Sequence, residues 1–531
     1  MSVSQSERNA ENTGRREHVS RDLAKRVYEN WNGSLAETMR LAGVKSKSER
    51  RWHRIRRGTE RMLGVELVAN QQDKSPERNE NQCPNYLDVK KAKQAKSFII
   101  TSATNNSTLN ARFFDTLEVF AEHTGSQLLV LPLKYRHSNL IRRDDYSWPD
   151  RIYDYALTSD LKVSPSLVIS GGAGILATAV NPLSGMSANS GYRSAVYGHP
   201  QVALQCVATP GNQLPKIMAT TGSCTSASYS NTKTGAKARF HHSFSALYVK
   251  MVKGGKFHLT QVHWDGKGFY LLDKRYEPSG HTSGHKAAAL VQGDTHAVWS
   301  DTAVLSARQR LLDNIQPDTL VWHDLHDHKS QSHHNTVTER VRLAQTGGHI
   351  VEDELKLSAD LLNDFGKGRE NLIIGSNHND HLHKWLDRHE DKKDPVNAPL
   401  AAQLKSLVYA TSDKGPFELW LKPRLKVKAK FVDRNKEHRI KSVDVSQHGD
   451  IGSNGSRGSA RAFGRLPRKT VIGHSHTSGI EKGCYQVGVS TLKMEYAQGY
   501  SSWSVCDCII YANGKRGLIF QVDGKSLADL L

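Results

Sequence analysis

His474 and His476 flank Ser475 at the end of the apolar run VIGHSH, residues 471–476. Alternate residues of an extended segment point the same way, so this spacing predicts two imidazoles aimed together. Imidazole is the commonest metal-binding side chain, and the pair raises the question of where its other ligands lie. Upstream, four more short apolar runs end in ligand-type residues. AAALVQGDTH ends in Asp294 and His296, and DTLVWHDLHD carries Asp324 with Asp327 three residues on. ENLIIGSNHND carries Asn377 and His378, and KSVDVSQHGD carries His448. Each run reads as a strand that delivers these residues just past its carboxyl end, the edge at which open α/β sheets hold ligands.

The order Gly293-Asp294-Thr295-His296, His323-Asp324-Leu325-His326-Asp327, Asn377-His378, His448, Gly473-His474-Ser475-His476 resembles the calcineurin-like metallophosphoesterase superfamily over residues 286–515. Two positions depart from that pattern. His323 stands where the family has glycine before the aspartate, and Ser376 where a glycine adjoins the asparagine. The resemblance implies an α/β fold, a four-layer α/β/β/α sandwich, with two divalent metal ions. Asp294, His296 and His476 would hold the first ion, Asn377, His448 and His474 the second, and Asp324 would bridge them. Such a pair clamps a phosphoryl group, activates a water and stabilises the developing charge. By the same resemblance His378 would serve the leaving oxygen, oriented by Asp327. Mixed carboxylate, amide and imidazole ligands suit manganese first, with iron, zinc or magnesium as alternatives. Counting GDTH as the first element places Asp324 one strand-helix-strand step later, through SARQRLLDNI, so His326 is read as a neighbour and not a ligand.

The elements that must position this chemistry can be followed from the N-terminus. A chain of 531 residues predicts two to four domains. SRDLAKRVYENW, SLAETMRLAG and SKSERRWHRIRRG read as three helices in residues 1–65. Ser34 with Glu37, and Ser46 with Glu49, have capping-box spacing. Helix, glycine turn and helix is the helix-turn-helix pattern. The last helix carries Arg50, Arg51, Arg54, Arg56 and Arg57 for DNA, with Trp52 and Ile55 facing inward. Residues 66–95 are polar and proline-bearing, as a linker is. Residues 96–285 read as a central α/β domain without assignable chemistry: strand, helix and strand first, then antiparallel hairpins over 236–276. The catalytic domain is expected over 286–531.

Composition sets bounds on function. Lys and Arg number 73 against 53 Asp and Glu, a net charge of +20, which favours a polyanionic partner. The six cysteines show no CxxC spacing and argue against a zinc ribbon or a disulfide framework. No apolar run approaches the roughly 20 residues of a membrane helix, and no signal core opens the chain, so a cytoplasmic protein is expected. A metal site fused to a basic DNA reader predicts a nuclease. The overall layout also resembles that of tailed-phage pre-early proteins that degrade host DNA, which implies the host cytoplasm as the workplace. A metallophosphoesterase acting on another phosphoester, or a DNA-binding regulator with an inactive metal domain, are the alternatives. A homo-oligomer is compatible with the sequence.

Overall fold

A computed structural model describes residues 19–31, 35–44, 49–67, 83–136, 146–210, 214–411, 413–492, 494 and 499–531. The chain divides into two compact units at Pro84/Asn85. The first holds the helices Arg21–Glu29, Leu35–Leu41 and Glu49–Leu63. Ser20 caps the first helix by accepting from the Leu23 amide at 3.2 Å. Gly43, at φ +76°, ends the second in the left-handed conformation that glycine adopts without strain. Val19, Ala24, Val27, Met39, Ala42, Ile55 and Leu67 form the core, with Trp52 half-buried against it. Ser34, Ser46 and the side chains of Glu49, Arg50, Arg51 and Arg54 lie outside the described residues. Arg56 is engaged within the unit: it pairs with Glu60 at 3.0 Å and lies over the Trp31 ring.

The second unit is mixed α/β. One sheet has six strands in the order Ala429–Val432, Glu370–Ile374, Thr319–Trp322, Ala289–Val291, Cys506–Ile510, Arg516–Phe520. The first four are parallel and the last two antiparallel. Its residues alternate in period two. Ala289, Val291, Val321, Leu372 and Ile374 face a core shared with Val443, Val471, Ile480 and Tyr485 of a second sheet. Leu290, Leu320 and Ile373, at intervening positions, are also buried, so both faces are covered, as parallel strands require. The helix Thr302–Ile315 reaches that other face through Arg308, whose Nη2 lies 2.7 Å from Asp507 with both side chains fully buried.

The second sheet has ten strands and joins two parts of the chain expected to be separate domains. Val443–Asp444, Lys469–Ile472, Cys484–Gln486 and Gly479–Glu481 continue through Leu204–Val207 into Lys216–Thr220, Ser194–Tyr197, Leu167–Ser170 and Leu161–Ser164. The junction is the antiparallel pairing of Gly479 with Gln205 and Ile480 with Leu204. Residues 96–285 and 286–531 therefore share one sheet and one core, and no break falls at 285. A boundary inside a continuous ladder would strand unpaired backbone groups. A further sheet of four strands holds Ser97–Thr104 parallel to Gln127–Leu133, as the strand-helix-strand reading requires, with the hairpin Ser245–Met251/Phe257–His263 alongside. Two segments differ from expectation. Residues 236–241 belong to the helix Lys233–His241, and the end of the expected linker forms the helix Val89–Lys93, capped by Asp88. Among the described residues no helix is long and apolar enough to cross a membrane.

Candidate metal centre

The five ligand-bearing segments each leave a strand at its carboxyl end, three from the six-stranded sheet and two from the ten-stranded one. The loops are tied pairwise by main-chain hydrogen bonds. His296 N donates to Asp324 O at 2.7 Å and Thr295 N to His323 O at 2.9 Å. Gly473 N donates to His448 O at 2.7 Å. Asn377 and His378 open the helix Asn377–Arg388, whose N-cap is Ser376. The departure from glycine at 376 thus serves a helix cap. His296, Asp324, His474 and His476 all have positive φ, between +41° and +76°. Side chains of this kind pay strain there, and such strain gathers at functional sites. The two histidines of VIGHSH consequently do not alternate along a strand; they turn into different halves of the cluster.

In one half, His476 Nε2 lies 3.1 Å from His296 Nε2 and 3.3 Å from Asp294 Oδ2. In the other, His474 Nδ1 lies 3.2 Å from Asn377 Oδ1, with the His448 and His474 ring centres 5.3 Å apart. Asp324 stands between them: its Oδ2 is 3.0 Å from His448 Nε2 and 3.8 Å from His296 Nε2. The His474 amide donates to Asp294 at 2.7 Å. All seven expected ligand residues are therefore brought together. Asp327 sits differently from expectation. Its carboxylate is 2.7 Å from His296 Nδ1 and accepts from Trp299 Nε1 at 3.1 Å. His378 Nδ1 instead lies 2.7 Å from the Asp327 main-chain carbonyl, and 3.5 Å from its carboxylate.

This constellation fits a metal. Asp294 and Asp324 are 0% and 1% exposed, and among the described residues no lysine or arginine pairs with either. Two carboxylates buried without a cation are costly. Asp294 Oδ1, Asp324 Oδ1 and His476 Nδ1 are buried and make no hydrogen bond. Asp294, His296, Asp324 and His476 offer ligand atoms that all lie within 4.8 Å of one another, and so do Asp294, His323 and His448. These groups could hold a metal ion. The field shows the same demand. Burial pushes Asp294 up to about 7, with the Asp324 charge adding to it. Burial works the same way on Asp324, but the His448 and His378 rings outweigh it and hold this carboxyl well below the usual range. Burial opposes charge on His448, yet Asp324 lifts it to about 9. His476 is driven well below its ordinary value by burial and by His296.

Several participants were given no role by the sequence. His323 is fully buried, and its Nδ1 lies 3.3 Å from His448 Nδ1. Burial pushes it down to about 3, so it is neutral and offers a lone pair. Gly293 is hemmed in: a Cβ there would stand 2.9 Å from Cys506 O. Its amide donates to Asp507 Oδ1 at 2.9 Å and its carbonyl accepts from Ser490 Oγ at 2.9 Å, while Arg308 bonds both Asp507 and Ser490. The ion pair beneath the sheet thus fixes the backbone that presents Asp294. Beside the cluster opens a groove of about 1400 Å³, lined by Lys329, Arg342, Arg457 and Arg461 together with Trp299 and Trp503. Its wall also includes His334 and Asn335. The sequence signal for it was only the general positive charge. His326 is buried 3.9 Å from Glu354 and stacks on Phe417, and it belongs to neither ligand grouping.

The chain is 30% identical over 466 residues to Protein A1 of Escherichia phage T5, covering 82% of this chain and 84% of that protein. The chain belongs to the family of that phage protein. No family model matches it. No solved structure matches it either. The match to the phage protein spans more of the chain than residues 286–515, to which the ligand motifs are confined. It therefore extends well beyond the cluster into the segments that share its sheet.

Proposed function

We propose that this protein is a metal-dependent phosphodiesterase of the calcineurin-like metallophosphoesterase type that hydrolyses DNA. The observation that carries this reading is the placement of two buried carboxylates, Asp294 and Asp324, paired with no lysine or arginine among the described residues, directly behind Asn377, His378, His474 and His476, which line a groove that also carries Lys329, Arg342, Arg457 and Arg461. At about 1400 Å³ the groove exceeds the roughly 300–1,000 Å³ of small-ligand pockets, which suits a polymer. Two divalent ions, manganese for preference and otherwise iron, zinc or magnesium, would be held by Asp294, His296 and His476 on one side and Asn377, His448 and His474 on the other, with Asp324 between. When bound they would supply electrostatic stabilisation to a transferring phosphoryl group.

The chain's own residues have distinct tasks in this reading. Lys329, Arg342, Arg457 and Arg461 hold backbone phosphates, the main sequence-independent source of nucleic-acid affinity. His378 lines the groove with its ring fixed through Nδ1 to the Asp327 carbonyl. Its Nε2 is left to carry the proton exchanged with the leaving oxygen. Asp327 orients His296 as well as flanking His378, which broadens its role. The N-terminal helices act as a helix-turn-helix DNA reader through Arg50, Arg51, Arg54 and Arg57, with Arg56 spent on Glu60. Membership of a phage family supports a phage-encoded enzyme that works on bacterial DNA in the host cytoplasm.

Plasmid cleavage by purified protein tests this, with Mn²⁺, with EDTA, and with the Asp324→Ala and His378→Ala variants. Manganese-dependent degradation that both variants lose is expected. Hydrolysis of a generic phosphodiester without cleavage of any DNA would retain the site and remove DNA as its substrate. Bound metal without hydrolysis of either would overturn the enzyme reading altogether.

A further inference from the structure

The groove contains two indoles as well as cations, and backbone phosphates alone would not call for them. Trp503 is half-buried, lines the groove, and stands perpendicular to the His476 ring with centres 4.4 Å apart. It is therefore next to the candidate metal cluster. Trp299 lines the groove as well, but Lys329 Nζ sits 3.4 Å above its ring and its Nε1 is bound to Asp327. Trp299 is thus committed to holding a cation and a carboxylate in place, and Trp503 is the indole in contact with the His476 ring.

A phosphodiester that reaches the cluster meets it through the half-buried Asn377, His378 and His474 and through His476, 4% exposed, in a groove also lined by Lys329, Arg342, Arg457 and Arg461. In an intact duplex each base is stacked and paired, and a second backbone accompanies the first. An unpaired strand brings one backbone, and its bases are available to stack. Basic grooves that follow a single backbone with aromatic rings beside it are how proteins hold single strands without reading sequence. Building on the nuclease reading, we infer that the cleaved strand enters the groove unpaired, with a base next to the scissile phosphate stacked on Trp503. The neighbouring phosphates lie against Lys329, Arg342, Arg457 and Arg461 of the same groove. The subsite is tolerant of base identity, since every base has a π-face.

The test uses the full-length protein with manganese and two six-unit single strands. One is hexathymidylate; the other has the same sugar-phosphate backbone without bases. Wild-type protein is expected to prefer the base-bearing strand in kcat/KM by about 5- to 140-fold, the range of one base-aromatic stack. Trp503→Ala should erase that preference, and Trp503→Phe should keep most of it. Tyr192→Ala, at a position 99% exposed, should keep it in full. The ratio is insensitive to general damage at the cluster, because both strands need the same metal site. Equal rates on the two strands in the wild type, or an unchanged preference in Trp503→Ala, would overturn the inference while leaving the nuclease reading in place. A wild-type protein that cleaves neither strand nor plasmid, yet hydrolyses bis(p-nitrophenyl) phosphate, would overturn both.

Discussion

Gly473→Ala adds one methyl group at the most crowded point of the cluster. An ideal Cβ at this residue would lie 2.2 Å from Asp294 Oδ1 and 3.1 Å from His323 Cγ. Ordinary contact begins at 3.4 Å, so the Asp294 oxygen must retreat by about 1.2 Å. It has little room to do so, because its other oxygen accepts from the His474 amide at 2.7 Å and lies 3.3 Å from His476. Metal-ligand distances hold to within about 0.2 Å. A ligand displaced by several times that tolerance no longer ligates. Loss of outer support alone typically costs about 10- to 100-fold in metal affinity. Loss of Asp294 itself should therefore weaken Mn²⁺ binding by at least about 100-fold, and phosphodiester hydrolysis with it. Gly473 is not among the residues at positive φ, so alanine brings no backbone strain. Overpacking should cost the metal-free fold only about 1–3 kcal/mol. Calorimetric titration with Mn²⁺, paired with thermal unfolding in EDTA, measures both terms. A Gly473→Ala protein that binds Mn²⁺ with wild-type stoichiometry and affinity would refute the reasoning.

Three further outcomes follow from the same geometry. His323→Ala removes the partner of His448 Nδ1 and should weaken one of two Mn²⁺ sites by about 10- to 100-fold; His323→Asn, whose Oδ1 can take the place of Nδ1, should restore it, and equal affinity at both sites in His323→Ala would count against the role. Arg308→Met leaves Asp507 buried without its cation and should cost about 3–5 kcal/mol of stability; denaturant unfolding within 1 kcal/mol of wild type, at the error of such measurements, would show that the network is not a support. His448 is lifted from 6.5 to about 9 in the metal-free fold. A raised histidine stabilises fully below its unfolded value and ceases to as pH rises through the folded one. Melting temperature in EDTA should thus fall between about pH 6.5 and 9, and Mn²⁺ binding at pH 7 should release protons, as calorimetry in buffers of different ionisation enthalpy would register.

The ligand strands were legible because each couples a short apolar run to an abrupt polar end, a local signal. GDTH, HDLHD, NH, the lone His448 and GHSH all lie where that pattern puts them. The pairing of sheets was not legible. Whether Lys469–Ile472 joins Thr319–Trp322 or a different sheet depends on partners far along the chain, and period-two burial is the same in both. For that reason residues 96–285 read as a separate domain, although Leu204–Val207 is in the ladder of the strands that carry His448 and His474. His323 was visible only as a departure from a glycine. Its contact with His448 comes from the convergence of two loops, 125 residues apart. Asp327 was expected against His378, and the preference for His296 reflects the positive φ at His296 and Asp324, which no spacing rule contains. The groove was hidden because Lys329, Arg457, Trp299 and Trp503 are ordinary residues of four separate stretches of the chain.

The pairing of Leu204–Val207 with Gly479–Glu481 has a consequence for how the chain is made. Gln205 precedes its partner Gly479 by 274 residues. At about 5–20 residues per second on the ribosome, some 14 to 55 s separate their synthesis. During that interval Lys216–Thr220 is already available to one side of Leu204–Val207, and the other side remains an open edge able to pair with any passing strand. The nascent protein therefore carries an adhesive margin until its last fifth emerges. A fragment cut at residue 285 would keep that margin permanently. Residues 471–481 complete the candidate metal cluster and, in the same event, close the sheet against self-association.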